Sequence, residues 1–238
     1  MQRLRHFVTA TPIFHPFKDG TVMIVAFLGW YAGFASRASV ITSTCAHAPA
    51  ACDIETINSI DRWALVRDYD WLSDHLSYWT QDASAVLAVV ASFAFSPLRR
   101  VAWTHLALLL QATFINGAVM EAVRLFVQRP RPFVYLDPLK HGGAPAHYTS
   151  FYSGHTSFAA LACTFAVLAS MNAHESARRL VLFSAVFLTA ATGLLRVTGS
   201  RHFISDVGFG ALMGVVIAIA VNGLHRGKDH ATFHASSC

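Results

Sequence analysis

The sequence predicts an all-α membrane protein: a bundle of six transmembrane helices with a partly helical extracytoplasmic loop between the first and second spans. The chain is 54% hydrophobic and only 13% charged, whereas roughly 25% of the residues of an average soluble domain are charged. Its apolar residues gather in six stretches, most of them close to the roughly 20 residues that a helix needs to cross a bilayer. Because a chain of 238 residues with this composition is typical of one domain, we expect residues 1–238 to form a single domain.

The six predicted spans follow one another with short connections, except after the first. They run roughly from Gly20 to Ile41, Ala83 to Ser96, Ala102 to Val127, His155 to Met171, Leu180 to Val197 and Phe203 to Leu224. Basic residues precede the first stretch, as they do in a secretory signal. Its apolar run is longer than that of a usual signal peptide, so we interpret it as a retained span.

The distribution of basic residues predicts the orientation in the membrane. One side of the bundle would carry Arg3, Arg5, Lys18, Arg99, Arg100, Arg178, Arg179, Arg226 and Lys228. The other side would carry the loop from roughly Thr42 to Asp82, in which acidic residues outnumber basic ones. Because cytoplasmic loops are enriched in Lys and Arg, we expect both termini to be cytoplasmic and the loop to be extracytoplasmic. These flanking positions also explain the net charge of +5 better than nucleic-acid binding does.

The outer loop is expected to be partly helical. Apolar residues recur there every three to four positions, at Ile54, Ile57, Ile60, Trp63 and Ala64. This rhythm is typical of a short amphipathic helix on a membrane surface, where it would pack over the bundle or form a surface for lipid access. The loop also contains Cys45 and Cys52. An oxidising compartment would permit a disulfide, but the spacing of the two residues does not decide the question.

Three polar clusters at the edges of apolar stretches form the candidate functional site. They are residues 124–132 (RLFVQRPRP), 152–155 (YSGH) and 196–206 (RVTGSRHFISD). In the predicted orientation all three face the outside. Charged groups in or near hydrocarbon are costly, and they usually face a cavity or a partner. Permanent cations, two histidines and a carboxylate at a membrane surface together indicate a site that handles a phosphate.

The first cluster supplies Arg124 and Arg131. A guanidinium group is always charged, and its planar set of donors matches the oxygens of a phosphate. The prolines on either side of Arg131 end the helix and fix the turn that presents it. Snorkelling of a long side chain to the membrane interface is a plausible explanation for the position of Arg129, but it is a weak one for Arg124 and Arg131. Glu121, one turn before Arg124, is expected to pair with it and hold its side chain.

The second and third clusters supply the candidates for proton transfer and nucleophilic attack. Ser153 can cap the helix that follows, and Gly154 lets backbone amides approach an anion there. His155 would be a proton donor near neutral pH. His202 and Asp206 are four residues apart, so on a helix they share one face. A carboxylate bonded to one ring nitrogen would leave the other nitrogen as a nucleophile for phosphorus.

The three clusters resemble the signature of the type 2 phosphatidic acid phosphatase superfamily, which reads Lys-x6-Arg-Pro, Pro-Ser-Gly-His and Ser-Arg-x5-His-x3-Asp. All separations within the motifs match, and the resemblance runs across the six-span core, leaving only the first loop outside it. Three positions depart from the signature, because Arg124, Tyr152 and Leu195 stand where the family has lysine, proline and serine. Arg124 keeps the charge of the lysine but alters its reach and geometry.

The resemblance implies a phosphatase that works through a phosphohistidine and needs no metal or other cofactor. His202 would attack phosphorus with Asp206 as its partner, while His155 would protonate the leaving oxygen and then activate water. The groups expected to hold the phosphoryl oxygens are Arg124, Arg131, Ser153, the Gly154 amide and Arg196. The sequence shows no carboxylate cluster suited to magnesium, in keeping with this expectation.

The resemblance also implies a lipid substrate in a bacterial inner membrane, with membrane lipids rather than nucleic acid as partners. Bacterial relatives of this size act on undecaprenyl pyrophosphate, phosphatidylglycerol phosphate, phosphatidic acid or the 1-phosphate of lipid A. Size and layout favour lipid A or undecaprenyl pyrophosphate slightly, and the oligomeric state stays open. Two alternatives are a phosphotransferase that passes the phosphoryl group to a second lipid, and a lipid-binding protein without catalytic activity.

Overall fold

The computed structural model describes residues 11–65 and 70–226. This part of the chain contains six long α-helices: α1 Pro16–Val40, α2 Trp71–Phe95, α3 Arg99–Val127, α4 Gly154–Ala169, α5 Glu175–Thr198 and α6 Ile204–Leu224. Apart from one isolated bridge between Pro12 and Arg226, the described residues contain no β structure. The all-α prediction is therefore confirmed. Arg3, Arg5 and Lys228, on which the predicted orientation partly depends, lie outside the described residues.

Four of these helices, α1, α3, α5 and α6, are long and apolar enough to cross a membrane. Helix α4 is apolar but has only 16 residues, and α2 is not among the four although it has 25 residues. Length and composition thus support four of the six predicted spans directly. The other two helices occupy the positions in the chain where the second and fourth spans were expected.

Helix α2 begins at Trp71, well before the predicted start at Ala83. Asp70 caps it, because its carboxylate accepts a hydrogen bond from the Leu72 N–H at 3.1 Å. The face that α2 turns inward is polar in its first half, where Asp74 and Ser77 are buried. Hydropathy therefore missed this half of the helix, and the prediction that the outer loop extends to Asp82 is wrong.

The loop between the first two long helices is partly helical, as expected: it contains a four-residue α-helix, Thr44–His47, and three 3-10 turns, Pro49–Cys52, Ile54–Thr56 and Asp61–Leu65. Ile57 and Ala64 are buried against Phe203, which precedes α6, whereas Ile60 and Trp63 are 63% and 75% exposed. The prediction of a short amphipathic α-helix over residues 54–64 is wrong, because this stretch forms separate 3-10 turns and only some of its apolar positions face the bundle; these anchor the loop over the start of α6. Cys45 and Cys52 form a disulfide, which the sequence had left open.

Helix α4 lies at the centre of the bundle and packs against α2, α3, α5 and α6. Small residues allow this close packing: a Cβ atom on Gly210 of α6 would lie 2.6 Å from the carbonyl oxygen of Ser153. Helix α1 packs mainly against α3, and there a Cβ atom on Gly33 would lie 2.7 Å from the Cβ of Glu121. A cavity is left between α1 and α2, with residues of both helices in its wall.

Candidate phosphate-transfer site

The cavity has a volume of about 700 Å³ and brings the three sequence clusters together. Six of the eight predicted site residues line it: Arg124, Arg131, Gly154, His155, Arg196 and His202. Ser153 and Asp206 are fully buried and are not part of the wall. The six predicted residues in the wall bring three guanidinium groups and two imidazoles together from elements that are distant in sequence, and Arg37 and Arg201 add two more guanidinium groups to the wall.

His202 presents a ring whose Nδ1 proton is fixed by a hydrogen bond, in surroundings that favour the neutral form. Its burial, together with the charges of Arg196, Arg131 and Arg124, lowers the pKa of His202 well below its ordinary value. The ring atom Nδ1 lies 2.7 Å from the carbonyl oxygen of Ser150. Because a carbonyl oxygen can only accept, Nδ1 must carry the proton. In the neutral ring the lone pair is therefore on Nε2, as a nitrogen nucleophile requires.

Asp206 does not make the direct hydrogen bond to the histidine ring that the sequence suggested. Its Oδ2 is 3.8 Å from Nδ1 of His202, too far for a hydrogen bond. The same oxygen accepts from the Ser150 hydroxyl at 2.5 Å and from the Phe203 N–H at 2.9 Å. Asp206 is the third residue of α6 and reaches back to the residue before the helix, as in a capping box. It therefore contacts the histidine through Ser150.

His155 is a second imidazole in the wall of the cavity. Its ring meets the ring of Tyr78 edge-on, with centroids 4.3 Å apart and an interplanar angle of 86°. Within the described part of the chain, its Nε2 atom is buried and has no hydrogen-bond partner. Buried polar atoms are normally paired. His155 therefore brings to the cavity wall a ring nitrogen whose hydrogen-bonding capacity is unmet by the described residues.

Arg124 is held by the acid that the sequence predicted for it. Its Nη1 donates to Oε1 of Glu121 at 3.1 Å, and its Nη2 donates to the carbonyl oxygen of Tyr152 at 3.2 Å. Arg37 of α1 also binds Glu121, with its Nε 2.7 Å from Oε2. Glu121 thus lies between two arginines and joins α1 to the site. Sequence reasoning missed Arg37, although a charge near the outer end of the first span was a signal.

Gly154 leaves the space that Arg124 occupies. A Cβ atom at this position would lie 3.0 Å from Nη2 of Arg124 and 2.7 Å from Sδ of Met120. Glycine at the start of α4 therefore permits a close approach between the backbone and the guanidinium group. This is a steric role, in addition to the exposure of the backbone amide predicted from the sequence.

Arg196 is paired with a carboxylate that sequence reasoning missed. It donates through Nη1 to Asp74 and to the Ser77 hydroxyl, the latter at 3.1 Å. Arg201 also donates to Asp74, with a distance of 2.7 Å to Oδ2. The three-residue spacing of Asp74 and Ser77 would have indicated a polar helix face if this segment had been recognised as helical.

Arg131 donates hydrogen bonds to neutral oxygens. The Ser153 hydroxyl is buried behind the cavity wall and pairs with a neighbouring hydroxyl group. Nη2 of Arg131 donates to the Thr149 hydroxyl at 3.1 Å, and Nη1 donates to the carbonyl oxygen of Arg201 at 3.3 Å. The hydroxyl groups of Ser153 and Thr156 are 3.0 Å apart. Ser153 occupies the N-cap position of α4, but its side chain makes no capping hydrogen bond.

The fold and the site define a class of protein: an all-helical membrane protein in which imidazoles and guanidinium groups surround a cavity suited to a phosphate ester. The chain belongs to the PAP2 superfamily, whose family model matches residues 105–228, just over half of the chain. This confirms the resemblance found in the motifs. Members of the family are phosphatases, which supports a phosphoric ester hydrolase in general. Searches of curated proteins and of solved structures found no match.

The family match contains all three clusters but begins within α3. Helices α1 and α2 and the outer loop therefore lie outside it. These are the elements that supply Arg37, Asp74 and part of the cavity wall. The sequence had placed only the first loop outside the resemblance.

Proposed function

We propose that this protein is an integral-membrane lipid phosphatase that hydrolyses a lipid phosphomonoester or pyrophosphate at the outer face of the membrane. The observation that carries the proposal is the arrangement around His202. The Ser150 carbonyl oxygen accepts a hydrogen bond from Nδ1 at 2.7 Å, and the ring shares the cavity wall with Arg124, Arg131 and Arg196. A phosphate ester bound by those cations would meet a nitrogen lone pair on Nε2.

The reaction would proceed in two displacements at phosphorus. Nε2 of His202 attacks, and the bond between phosphorus and the lipid oxygen breaks as the nitrogen–phosphorus bond forms. His155 gives a proton to the leaving oxygen, and then takes one from the water that displaces the histidine. Arg124, Arg131 and Arg196 stabilise the charge on the phosphoryl oxygens in both transition states.

The rest of the cavity supports a substrate with a hydrocarbon chain. Its wall also carries apolar side chains, among them Trp30, Leu109, Phe158 and Ala162, and the ring of Phe34 lies under the guanidinium group of Arg37. Because α1 packs mainly against α3, the side of α1 towards α2 is available to a lipid chain. A cavity wall that combines guanidinium groups with apolar side chains fits an amphipathic substrate.

We further propose that all six long helices span the membrane. Helix α4 is enclosed by four neighbours, and the inward face of α2 lines the cavity, so neither depends on a fully apolar surface. The Cys45–Cys52 disulfide supports an outer loop in an oxidising compartment. Together with the distribution of Lys and Arg, this favours cytoplasmic termini, an extracytoplasmic site and a bacterial inner membrane.

A phosphate-release assay on the purified protein tests the proposal. The panel comprises undecaprenyl pyrophosphate, phosphatidylglycerol phosphate, phosphatidic acid and lipid A 1-phosphate, each without an added acceptor. His47 is an exposed histidine in the outer loop, so His47→Ala is a matched control for His202→Ala and His155→Ala. We expect release by the wild type and by His47→Ala, and none by the two site variants although they remain folded.

Two results would contradict the proposal. Normal turnover by the folded His202→Ala variant would exclude the phosphohistidine route. Phosphoryl transfer that requires a second lipid would identify a phosphotransferase instead of a hydrolase.

A further inference from the structure

Asp61 of the outer loop is a fully buried carboxylate outside the family match. Its Oδ1 accepts a hydrogen bond from the Ser205 N–H at 2.9 Å, and its Oδ2 accepts from the Ser205 hydroxyl at 2.6 Å and from Nδ2 of Asn58 at 2.8 Å. Ser205 is the second residue of α6. The first N–H groups of a helix have no partner within it, and the Phe203 side chain at the N-cap cannot accept a hydrogen bond. Asp61 therefore caps α6 from the outer loop.

Arg129 connects this cap to Asp206. Its Nη2 is 2.7 Å from Oδ2 of Asp61, and its Nη1 is 2.6 Å from Oδ1 of Asp206. The guanidinium carbon also lies 4.0 Å from the centre of the Phe203 ring, a cation–π geometry. The side chain is only 19% exposed. The planar fork of arginine can bind two carboxylates at once, which the point charge of lysine cannot reproduce.

The contacts continue from Asp206 to the ring of His202. Asp206 accepts from the Ser150 hydroxyl through Oδ2, and the Ser150 carbonyl oxygen accepts from Nδ1 of His202. Hydrogen bonds thus connect the outer loop to Ser150, whose own covalent backbone completes the connection to the ring of His202. The last hydrogen bond of the series fixes the tautomer of His202: because the Ser150 carbonyl oxygen accepts from Nδ1, the other nitrogen, Nε2, is the one that can attack. Asp61 and Arg129 do not themselves line the cavity.

We propose that Asp61 and Arg129 are positioning residues for His202, acting through Asp206 and Ser150. The outer loop thereby contributes to the site although it lies outside the part of the chain that matches the family. For its kinetic readout, this inference rests on the proposed phosphatase function.

The kinetic test uses Asp61→Asn and Arg129→Lys. Glu55→Gln is the matched control, because Glu55 is an acid of the same loop whose ion pair with Arg62, at 3.0 Å, is exposed on both sides. Misplacement of a reacting group by about 1 Å can cost about 100-fold in rate, so we expect kcat to fall about 10- to 100-fold in both variants. KM should change less than about twofold, because the phosphate-binding arginines are untouched. Glu55→Gln should behave as the wild type.

A double variant shows whether the effect passes through Asp206. If it does, adding Asp61→Asn to Asp206→Asn produces no further fall in kcat, since coupled residues are not additive. Unchanged kcat in Arg129→Lys, additive effects in the double variant or an equal loss in Glu55→Gln would each overturn the inference.

A readout that needs no turnover separates this inference from the proposed function. Nitrogen-15 spectra of histidine-labelled protein report which ring nitrogen of His202 carries the proton. We expect Nδ1–H in the wild type and a mixture of tautomers in Asp61→Asn and Arg129→Lys. An unchanged tautomer in both variants would overturn the positioning role even if the wild type releases phosphate. A wild type that releases none would instead overturn the proposed function, and the spectra would still decide the positioning role.

Discussion

Replacement of Gly154 by alanine tests the geometry of the site with one added methyl group. That carbon would lie 2.7 Å from Sδ of Met120 and 3.0 Å from Nη2 of Arg124. Ordinary contacts between non-bonded heavy atoms are about 3.5–4.0 Å. Met120 would therefore have to retreat by about 1 Å and Arg124 by roughly half as much or more. Gly154 is helical and its φ is not positive, so alanine adds no backbone strain.

The added methyl group has two expected effects. Extra carbon atoms in a well-packed region destabilise the fold by about 1–3 kcal/mol. If Arg124 gives way, its displacement from the phosphoryl group lowers kcat/KM for phosphate release about 10- to 100-fold, since a misplacement of about 1 Å can cost about 100-fold. Adding Met120→Ala removes the sulfur contact but not the contact with the guanidinium group, so we expect it to restore activity only in part.

Gly208→Ala is the matched control, because a Cβ atom on this exposed glycine of α6 would meet nothing within 4 Å. Both variants are assayed for phosphate release and for thermal unfolding in the same detergent. Wild-type kcat/KM in Gly154→Ala would refute the reasoning. So would an equal loss in Gly208→Ala.

Three further predictions concern charged groups around the site. Arg124→Lys should keep more kcat/KM than Arg124→Ala, since it retains the charge and restores the family residue; equal losses in the phosphate-release assay would contradict this. Asp74→Asn should lower the free energy of unfolding by about 3–5 kcal/mol, because it leaves the charge of Arg196 buried without its counterion; an unchanged chemical-denaturation midpoint would count against it. Burial alone would raise the pKa of Asp61, but hydrogen bonds, first from Arg129, outweigh this and lower it. A lowered pKa stabilises the fold above the unfolded pKa of about 3.9, so the stability gap between wild type and Asp61→Asn should be full at neutral pH and shrink as the pH falls below about 4; a gap independent of pH would argue against it.

The candidate site could be predicted from the sequence where its residues are held by local geometry. The separations within the three motifs set which groups share a helix face or a turn, and Arg124, His155 and His202 do line one cavity. Glu121 could be paired with Arg124 because the two are one turn apart on α3.

The contacts that cross the bundle could not be predicted in this way. Asp61 meets Ser205 across 144 positions of the chain, and Asp74 meets Arg196 across 122. Hydropathy placed Asp74 in a loop because the inward face of α2 is polar near the cavity. The sequence predicts an interfacial position for Arg129, because its two carboxylate partners, Asp61 and Asp206, come from distant segments and give no local signal.

Covalent trapping of the phosphoryl group on the protein tests the central claim most directly. Wild type, His202→Ala and His155→Ala are mixed with a substrate labelled in its phosphoryl group and quenched in alkaline detergent within the first turnover. We predict label on the wild type that is stable to alkali and labile to acid, as a phosphohistidine is, and none on His202→Ala. Turnover by the wild type without any trapped label, or full labelling of His202→Ala, would contradict the account.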